Sequence, residues 1–471
     1  MFKSLVQKLL SLRKKEVVNG PILPTIIHLA LPLMVSAALH TTQSLVDMFW
    51  VGRLGSASIA AVGISGSIIM VLVTLIFGVS SGTVSLVSQN IGAKQQEAAS
   101  QVAMHSLLLA ILGSAIVAVV GFIFAEDLLR LLGASNEVIS VGTNYLRIIL
   151  TGGVVMFVLF LSNSILLGSG DMIIPMIVMI VANILNIILD PLFIFGIGFP
   201  KMGTSGAALA SVLSQLISCG VVMYVLVKGY SHVKIRFSEF RFQPKIFIDT
   251  LKIGVPSSLQ MFFRSTMMIV IMAIVGGFGT YALAAYSIGL RVQMVILMPL
   301  FALGSTAATL VGQNIGAKQL DKAKRSALTA VGIGLIMMVV LGVLFYIFAE
   351  NILRFFDSTP EVIAIGKTFF RITVLFYCFI AFGVVLNRAL VGAGDTLVPM
   401  IITFVSLWVI QIPLAFFLSK YTSLGLLGVW WAIAVSYLAN GGGILLWFLT
   451  GHWKKKHLKD GACSSLCDME K

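Results

Sequence analysis

The chain has 471 residues, of which 58% are hydrophobic and only 11% charged; its mean hydropathy is +1.04. A soluble core of that size needs a charged shell, and too few charges are present to make one. The net charge of +14 does not argue for nucleic acid, because Lys and Arg gather in a few hydrophilic stretches between apolar runs, where they set membrane topology.

The first fifteen residues, MFKSLVQKLLSLRKK, read as a short amphipathic segment on the membrane surface rather than as a cleavable signal. Twelve apolar spans follow, with approximate limits 25–50, 58–84, 99–124, 140–167, 173–197, 206–227, 250–275, 283–311, 323–348, 362–391, 397–419 and 425–449. Each has about the length of helix that crosses a bilayer. The hydrophilic stretches split by sign. Lys3, Lys8, Arg13, Lys14 and Lys15 at the N-terminus, Lys228, Lys234, Arg236, Arg241 and Lys245 between spans six and seven, and Lys454, Lys455, Lys456 and Lys459 in the tail share one side of an even-span topology. The other side carries Glu126, Asp127, Glu137, Glu350, Asp357 and Glu361. The positive side is expected to be cytoplasmic, which puts both termini inside a multi-pass protein of the cytoplasmic membrane.

The chain repeats itself. QNIGAKQ at Gln89–Gln95 recurs at Gln313–Gln319, an offset of 224. The same offset pairs Pro32 with Pro256, Gly52 with Gly276, Phe124 with Phe348, Glu126 with Glu350, Arg147 with Arg371, Asn163 with Asn387, Asp171 with Asp395 and Pro175 with Pro399. Six spans per repeat return the chain to its starting side, so the halves share an orientation. The expected fold is an all-α membrane protein of twelve transmembrane helices in two pseudo-symmetric six-helix lobes with a central cleft. It is bounded as a basic segment 1–20, a lobe 21–228, a basic linker 229–248, a lobe 249–450 and a basic tail 451–471. Such a build suits an alternating-access carrier.

The repeat is also an internal control: polar residues present in one half only are candidates for function. Asp47 corresponds to Ile271, so the fold accepts an apolar residue where a carboxylate is costly in a bilayer. His40, Gln43, Ser44 and Asp47 form a polar stripe on the first span. The alternative for Asp47 is a snorkelling residue near the span's outer end. Asn183, Asn186 and Asp190 share a face of the fifth span; the equivalent stretch LWVIQIPLAFF has no acid, Gln411 being its nearest polar residue. Asp47, Asp190 and Ser211 of the sixth span fall at similar depth, in the outer half of the membrane. Carboxylate, amide carbonyl and hydroxyl are hard oxygen ligands suited to sodium, and a protonatable Asp serves a proton equally well. The alternative for Asp190 is a cap at a helix break before Pro191. Pro32, twinned by Pro256, bends its helix in this reading. Asp171 and Asp395 read as helix N-caps, and the paired Glu126 and Glu350 as structural residues of outer loops. Arg264, Arg291 and Arg388 lie in or near spans of the second half and need partners there. Cys219 and Cys378 read as packing residues, and four cysteines imply no disulfide framework. The chain is read as carrying no enzymatic motif, no P-loop and no cofactor; six scattered histidines make no metal cluster.

NGPILPTIIHLALPLM, LVDMFWVG around Asp47, the twin QNIGAKQ loops, the GSGD and GAGD turns at Gly168–Asp171 and Gly392–Asp395, and NIILDP at Asn186–Pro191 together resemble the multidrug and toxic compound extrusion (MATE) family. The resemblance covers about residues 18–450. It implies export of small organic cationic or amphipathic compounds in exchange for H+ or Na+, by a protein functional as a monomer among membrane lipids and without nucleic acid. One branch of the family keeps a carboxylate in the seventh helix; here that helix has none and carries Arg264 instead. The pattern is similar to the DNA-damage-inducible-F-like branch, which implies a cation site in the first lobe. In that branch Asp47 is cation-linked, Asn186, Asp190, Ser211 and the carbonyl of Ala207 match the ion site, and Pro32 is a gating bend. Ser211 stands where the family more often has Thr, which keeps the hydroxyl. A lipid-linked oligosaccharide flippase of the same superfamily is the alternative, kept open by the three second-half arginines.

Overall fold

The computed structural model describes residues 20–455; the basic head with Lys3 to Lys15, and Lys456, Lys459, Cys463 and Cys467 in the tail, lie outside the described residues. Along the chain run α1 (Ile22–Gly52), α2 (Ser56–Gly92), α3 (Gln96–Leu131), α4 (Asn136–Thr151), α5 (Gly153–Ser169), α6 (Ile173–Phe195), α7 (Thr204–Lys228), α8 (Pro244–Gly276), α9 (Thr280–Gly316), α10 (Leu320–Phe356), α11 (Pro360–Gly392), α12 (Leu397–Tyr421) and α13 (Leu426–Thr450). Among the described residues, eleven helices are long and apolar enough to cross a membrane, and α4 with α5 makes a twelfth span bent by 44°. The sequence draws that span as one helix. Gly152 and Gly153 sit at the bend, where low helix propensity makes a break cheap.

The chain divides into two compact units. Among the described residues, one holds Leu31–Gly254, and the other holds those before Leu31 together with those from Val255 onward. Both divisions fall directly before a proline-bearing stretch, at Pro32 and Pro256, yet α1 and α8 run unbroken through them.

Within each unit the helices close on small residues, as expected where lipid removes the hydrophobic drive between helices. A Cβ added at Gly168 would stand 3.0 Å from Val87 and 3.1 Å from the Val84 carbonyl. Its twin Gly392 meets the Ala308 backbone in the same way. The first unit's largest buried cluster gathers Val87, Val102, Met104, Leu107, Ile165 and Val222. The second is built on aromatic packing. Tyr286 stacks on Trp430 at 5.7 Å, and Phe369 meets Trp430 edge-on at 4.9 Å; Gly289 leaves room for the Phe369 ring.

Twin motifs fold alike. In each QNIGAKQ the residues through Gly92 or Gly316 are the end of a helix, not a loop. Only the last three turn, with Lys94 and Lys318 in the left-handed region at φ 62° and 60°. The Gln95 and Gln319 amides then donate to the Asn90 and Asn314 carbonyls at 2.9 and 2.7 Å, which satisfies orphan carbonyls at the helix end. Arg147 lies over the Phe122 ring and Arg371 over Tyr346, at 5.8 and 5.7 Å. Glu126 and Glu350 are not in loops: α3 and α10 extend past the apolar run, and each glutamate pairs with an arginine one turn on, Arg130 at 2.7 Å and Arg354 at 2.8 Å. Such i,i+4 pairs support a helix end in water. Asp171 accepts from the Ile174 amide at 3.3 Å, as a capping residue does, whereas Asp395 accepts from the Trp447 indole at 2.8 Å.

The units also differ in helix regularity. Two π-helical stretches, Phe382–Leu386 in α11 and Val405–Gln411 in α12, widen the second unit's helices. The equivalent stretches of α5 and α6 are regular.

Candidate functional site: a buried carboxyl pair in the first unit

Four polar residues unique to the first half, Asp47, Asn186, Asp190 and Ser211, gather in one place. Asp47 from α1 and Asp190 from α6 bring their carboxyl groups into hydrogen-bonding contact. Two ionised carboxyl groups so placed repel each other unless a cation stands between them. Asp190 is fully buried and Asp47 half-buried. Asn186, one turn before Asp190, donates from Nδ2 to Asp190 Oδ1 at 3.3 Å and to Ser211 Oγ of α7 at 3.4 Å. Three helices from distant parts of the sequence thus meet at the site.

The oxygens outnumber the donors. Among the described residues, Asp47 Oδ1, Asp190 Oδ2 and Asn186 Oδ1 are buried and receive no hydrogen bond. A buried acceptor left so costs about 1–3 kcal/mol, and more if charged. A cation relieves all of them: a proton would satisfy one oxygen, a sodium ion several at once. The donor set fits either ion. It is a set of hard oxygens, and among the described residues no group of three His, Cys, Asp or Glu could hold a softer metal.

The helices are held so that this geometry persists. α6 continues through Pro191 to Phe195, so Asp190 is no cap at a helix break. α7 passes close to α6 because Gly206 has no side chain: a Cβ there would stand 2.6 Å from the Phe193 carbonyl carbon. Ala207 is buried and packs its side chain with Val51 and Ile194, ringed by Trp50 and Tyr145. Asp47 does not snorkel to a surface, since it meets Asp190.

Other expected members stand apart. Asn183 is buried, donates to the Met179 carbonyl at 2.8 Å and keeps an unmatched Oδ1 one turn away from Asn186. His40 is exposed and Gln43 half-buried; neither side chain hydrogen-bonds to the carboxyl pair. Tyr145 of α4 was missed. It is half-buried and within electrostatic range of both Asp47 and Asp190. Its counterpart 224 residues on is Phe369, so the comparison of halves that singles out Asp47 also singles out this hydroxyl. Against the expectation that the chain has no GxSxG, that spacing does occur at residues 78–82. It lies inside unbroken α2, and Ser80 bonds Ser164 at 2.7 Å rather than a base. It therefore lacks the strand-to-helix turn and the histidine of a nucleophile elbow.

Twelve apolar spans in two homologous halves, with a buried carboxyl pair in one half only, define a polytopic membrane transport protein. The chain belongs to the MatE family, whose profile matches it twice, over residues 32–192 and 256–417. It is 32% identical to the probable multidrug resistance protein NorM of Thermotoga maritima over 435 residues, which are 92% of this chain and 93% of that protein. Among solved structures it is similar to MATE in the bent conformation, with a TM-score of 0.87 and 27% identity over 95% of this chain and 98% of that one. It is equally similar to MATE in the straight conformation, with a TM-score of 0.86 and 28% identity over 93% of this chain and 98% of that one.

Proposed function

We propose that the protein is a secondary antiporter of the cytoplasmic membrane that exports organic cations or amphipathic compounds in exchange for H+ or Na+. The observation that carries this is the surplus of buried, undonated oxygen around Asp47, Asp190 and Asn186, in a family where a relative is named for multidrug resistance. Ion binding from outside would bring Asp47 and Asp190 together with Asn186 and Ser211, while the ion-free pair favours the state that accepts substrate. Exchange then follows because each ligand binds the two states unequally. An acid-bearing first half agrees with the DNA-damage-inducible-F-like branch, as does α8, whose one acid, Asp249, stands in its second turn before the apolar run. The solved relatives adopt a straight and a bent form, and Pro32 in α1 is the residue we assign to such a bend.

The test is reconstitution with an imposed pH or sodium gradient and a cationic dye. Wild-type protein should expel dye under at least one gradient. Asp190→Asn should lose that flux and also lose ion-dependent thermal stabilisation. Asn186→Ala should weaken ion affinity by about 1 kcal/mol, the scale of one hydrogen bond, and add little in combination with Asp190→Asn. Additive losses, or wild-type dye flux in Asp190→Asn, would remove these residues from the coupling.

A further inference from the structure

The second unit has no counterpart of the carboxyl pair, but the same level of its helices is not apolar. Arg264 stands near the middle of α8, where the first half has His40, 224 residues earlier. It is half-buried. Its one hydrogen bond among the described residues runs from Nη2 to Asn440 Oδ1 of α13, at a long 3.4 Å. No carboxylate lies within ion-pair range of it among the described residues, and the nearby Tyr437 hydroxyl already accepts from Gln293 at 2.7 Å. A guanidinium has five N–H donors in a planar fork, and here most of that fork is unused. Among the described residues the acids of the second half, Asp249, Asp321, Glu350, Asp357, Glu361 and Asp395, lie towards helix ends or in turns, and Asp249, fifteen residues before Arg264 on α8, faces Lys252 at 3.7 Å.

The surroundings hold this arginine in place. Asn440 Nδ2 donates to Thr403 Oγ1 at 3.2 Å; Gln260 Nε2 donates to the same oxygen at 2.7 Å and to the Pro399 carbonyl at 3.1 Å; Asn387 Nδ2 donates to Gln260 Oε1 at 3.1 Å. These groups are buried, and none is an acid. The network sits between the two π-helical stretches. Asn387 directly follows the first, and Thr403 lies two residues before the second. Such widened turns are rare and gather at functional sites. Gly383, inside the first, matters directly: a Cβ there would stand 2.9 Å from Asn440 Oδ1, the atom that meets Arg264. The widened turn and its glycine leave the space that Asn440 occupies.

We propose that Arg264, braced by Asn440, binds the oxyanion of an amphiphilic molecule, a phosphate or carboxylate, inside the membrane-spanning part of the second unit. A fixed cation in low dielectric with a rigid neutral brace and no internal counter-ion is an anion receptor: its desolvation is offset only when a negative group arrives. The fork suits a two-oxygen ligand, which an ammonium would hold only as a point charge. The neutral brace matters, since an acid there would already occupy the fork. This site is separate from the carboxyl pair and does not rest on the export reading.

Thermal unfolding of the purified protein in neutral detergent tests it, with phosphatidylglycerol, phosphatidylcholine and glycerol 1-phosphate as probes. Wild type should gain several degrees from phosphatidylglycerol, and little from phosphatidylcholine, if the source is a lipid headgroup; a gain from glycerol 1-phosphate places the source in solution. Arg264→Gln should be at least as stable as wild type without anion and should lose the gain. Arg264→Lys should keep no more than half of it. Asn440→Asp supplies the missing counter-ion, so it should be more stable without anion and indifferent to every probe. A wild type that no probe shifts, a gain that survives in Arg264→Gln, or an Asn440→Asp that responds like wild type would overturn the assignment.

Discussion

Tyr145 shows what a single atom should do at the carboxyl pair. It neighbours both Asp47 and Asp190, and the other half has Phe369 at its position, fully packed. Tyr145→Phe should therefore fold as wild type. Removing a neutral oxygen beside a cation site should lower ion affinity by about 1 kcal/mol, roughly fivefold. Thermal unfolding against sodium and against pH reads this directly, and an unchanged ion dependence would leave Tyr145 a packing residue. The residues of this site were legible because a carboxylate in an apolar span is expensive, and because the second half shows Ile271 in place of Asp47. What the sequence did not show was that Asp47 and Asp190 touch each other. Contact between spans one and five depends on how α1 packs, and periodicity on either helix carries no sign of it. Ser211 was placed by depth, and its bond to Asn186 agrees with that placement. His40 and Gln43 share a helix face with Asp47 but not its partners, because a common face fixes direction and not reach.

At the scale of helices, the site depends on how closely α7 approaches α6. Gly206 sets that distance, since an added methyl would press on the Phe193 backbone, which cannot swing away. Gly206→Ala should cost about 1–3 kcal/mol as an overpacked contact and should also weaken the ion dependence, because Ser211 lies little more than one turn further along the pushed helix. Gly220→Ala on the same helix meets nothing within 4 Å and should be neutral or slightly stabilising through helix propensity. Equal melting temperatures for the two variants would show that α7 is not gripped at Gly206. Helix identity and order were legible at this scale because an apolar run of bilayer length has few other readings. Helix ends were less so: α3 and α10 run on through Glu126 and Glu350, where charge pairs replace apolar burial. The π-helical stretches had no signature, since FGVVL and VSLWVIQ are as compatible with a regular helix. The first of them packs against α13, where Gly383 lies beside Asn440 and Gly441.

For the whole molecule, the repeat was the strongest signal in the sequence. The structure reproduces it in pairs of contacts: Gly168 with Gly392, Arg147 with Arg371, Lys94 with Lys318. The sidedness of those repeats is a separate matter and depends on charge. At one set of helix ends the bases are few, and several are matched: Arg130 to Glu126, Arg354 and Lys367 to Glu350. At the other set they accumulate, in Lys228, Lys234, Arg236, Arg241, Lys245, Lys322, Lys324 and Arg325, against few acids. Because translocation disfavours unneutralised Lys and Arg in short connections, the second set should be cytoplasmic. Single cysteines at Tyr230, Arg325 and Ser358, in a background with Cys219, Cys378, Cys463 and Cys467 replaced by alanine, test this in right-side-out vesicles. All three native positions are exposed, so a thiol at each is reachable from its own side. An impermeant maleimide should label the cysteine at Ser358 and leave those at Tyr230 and Arg325 unlabelled until the membrane is opened. Labelling at Tyr230 alone would mean an odd number of spans before it. Labelling at both Tyr230 and Arg325 with protection at Ser358 would invert the protein, and would place the Asp47–Asp190 pair nearer the cytoplasmic face, reversing the direction in which an ion gradient could drive export.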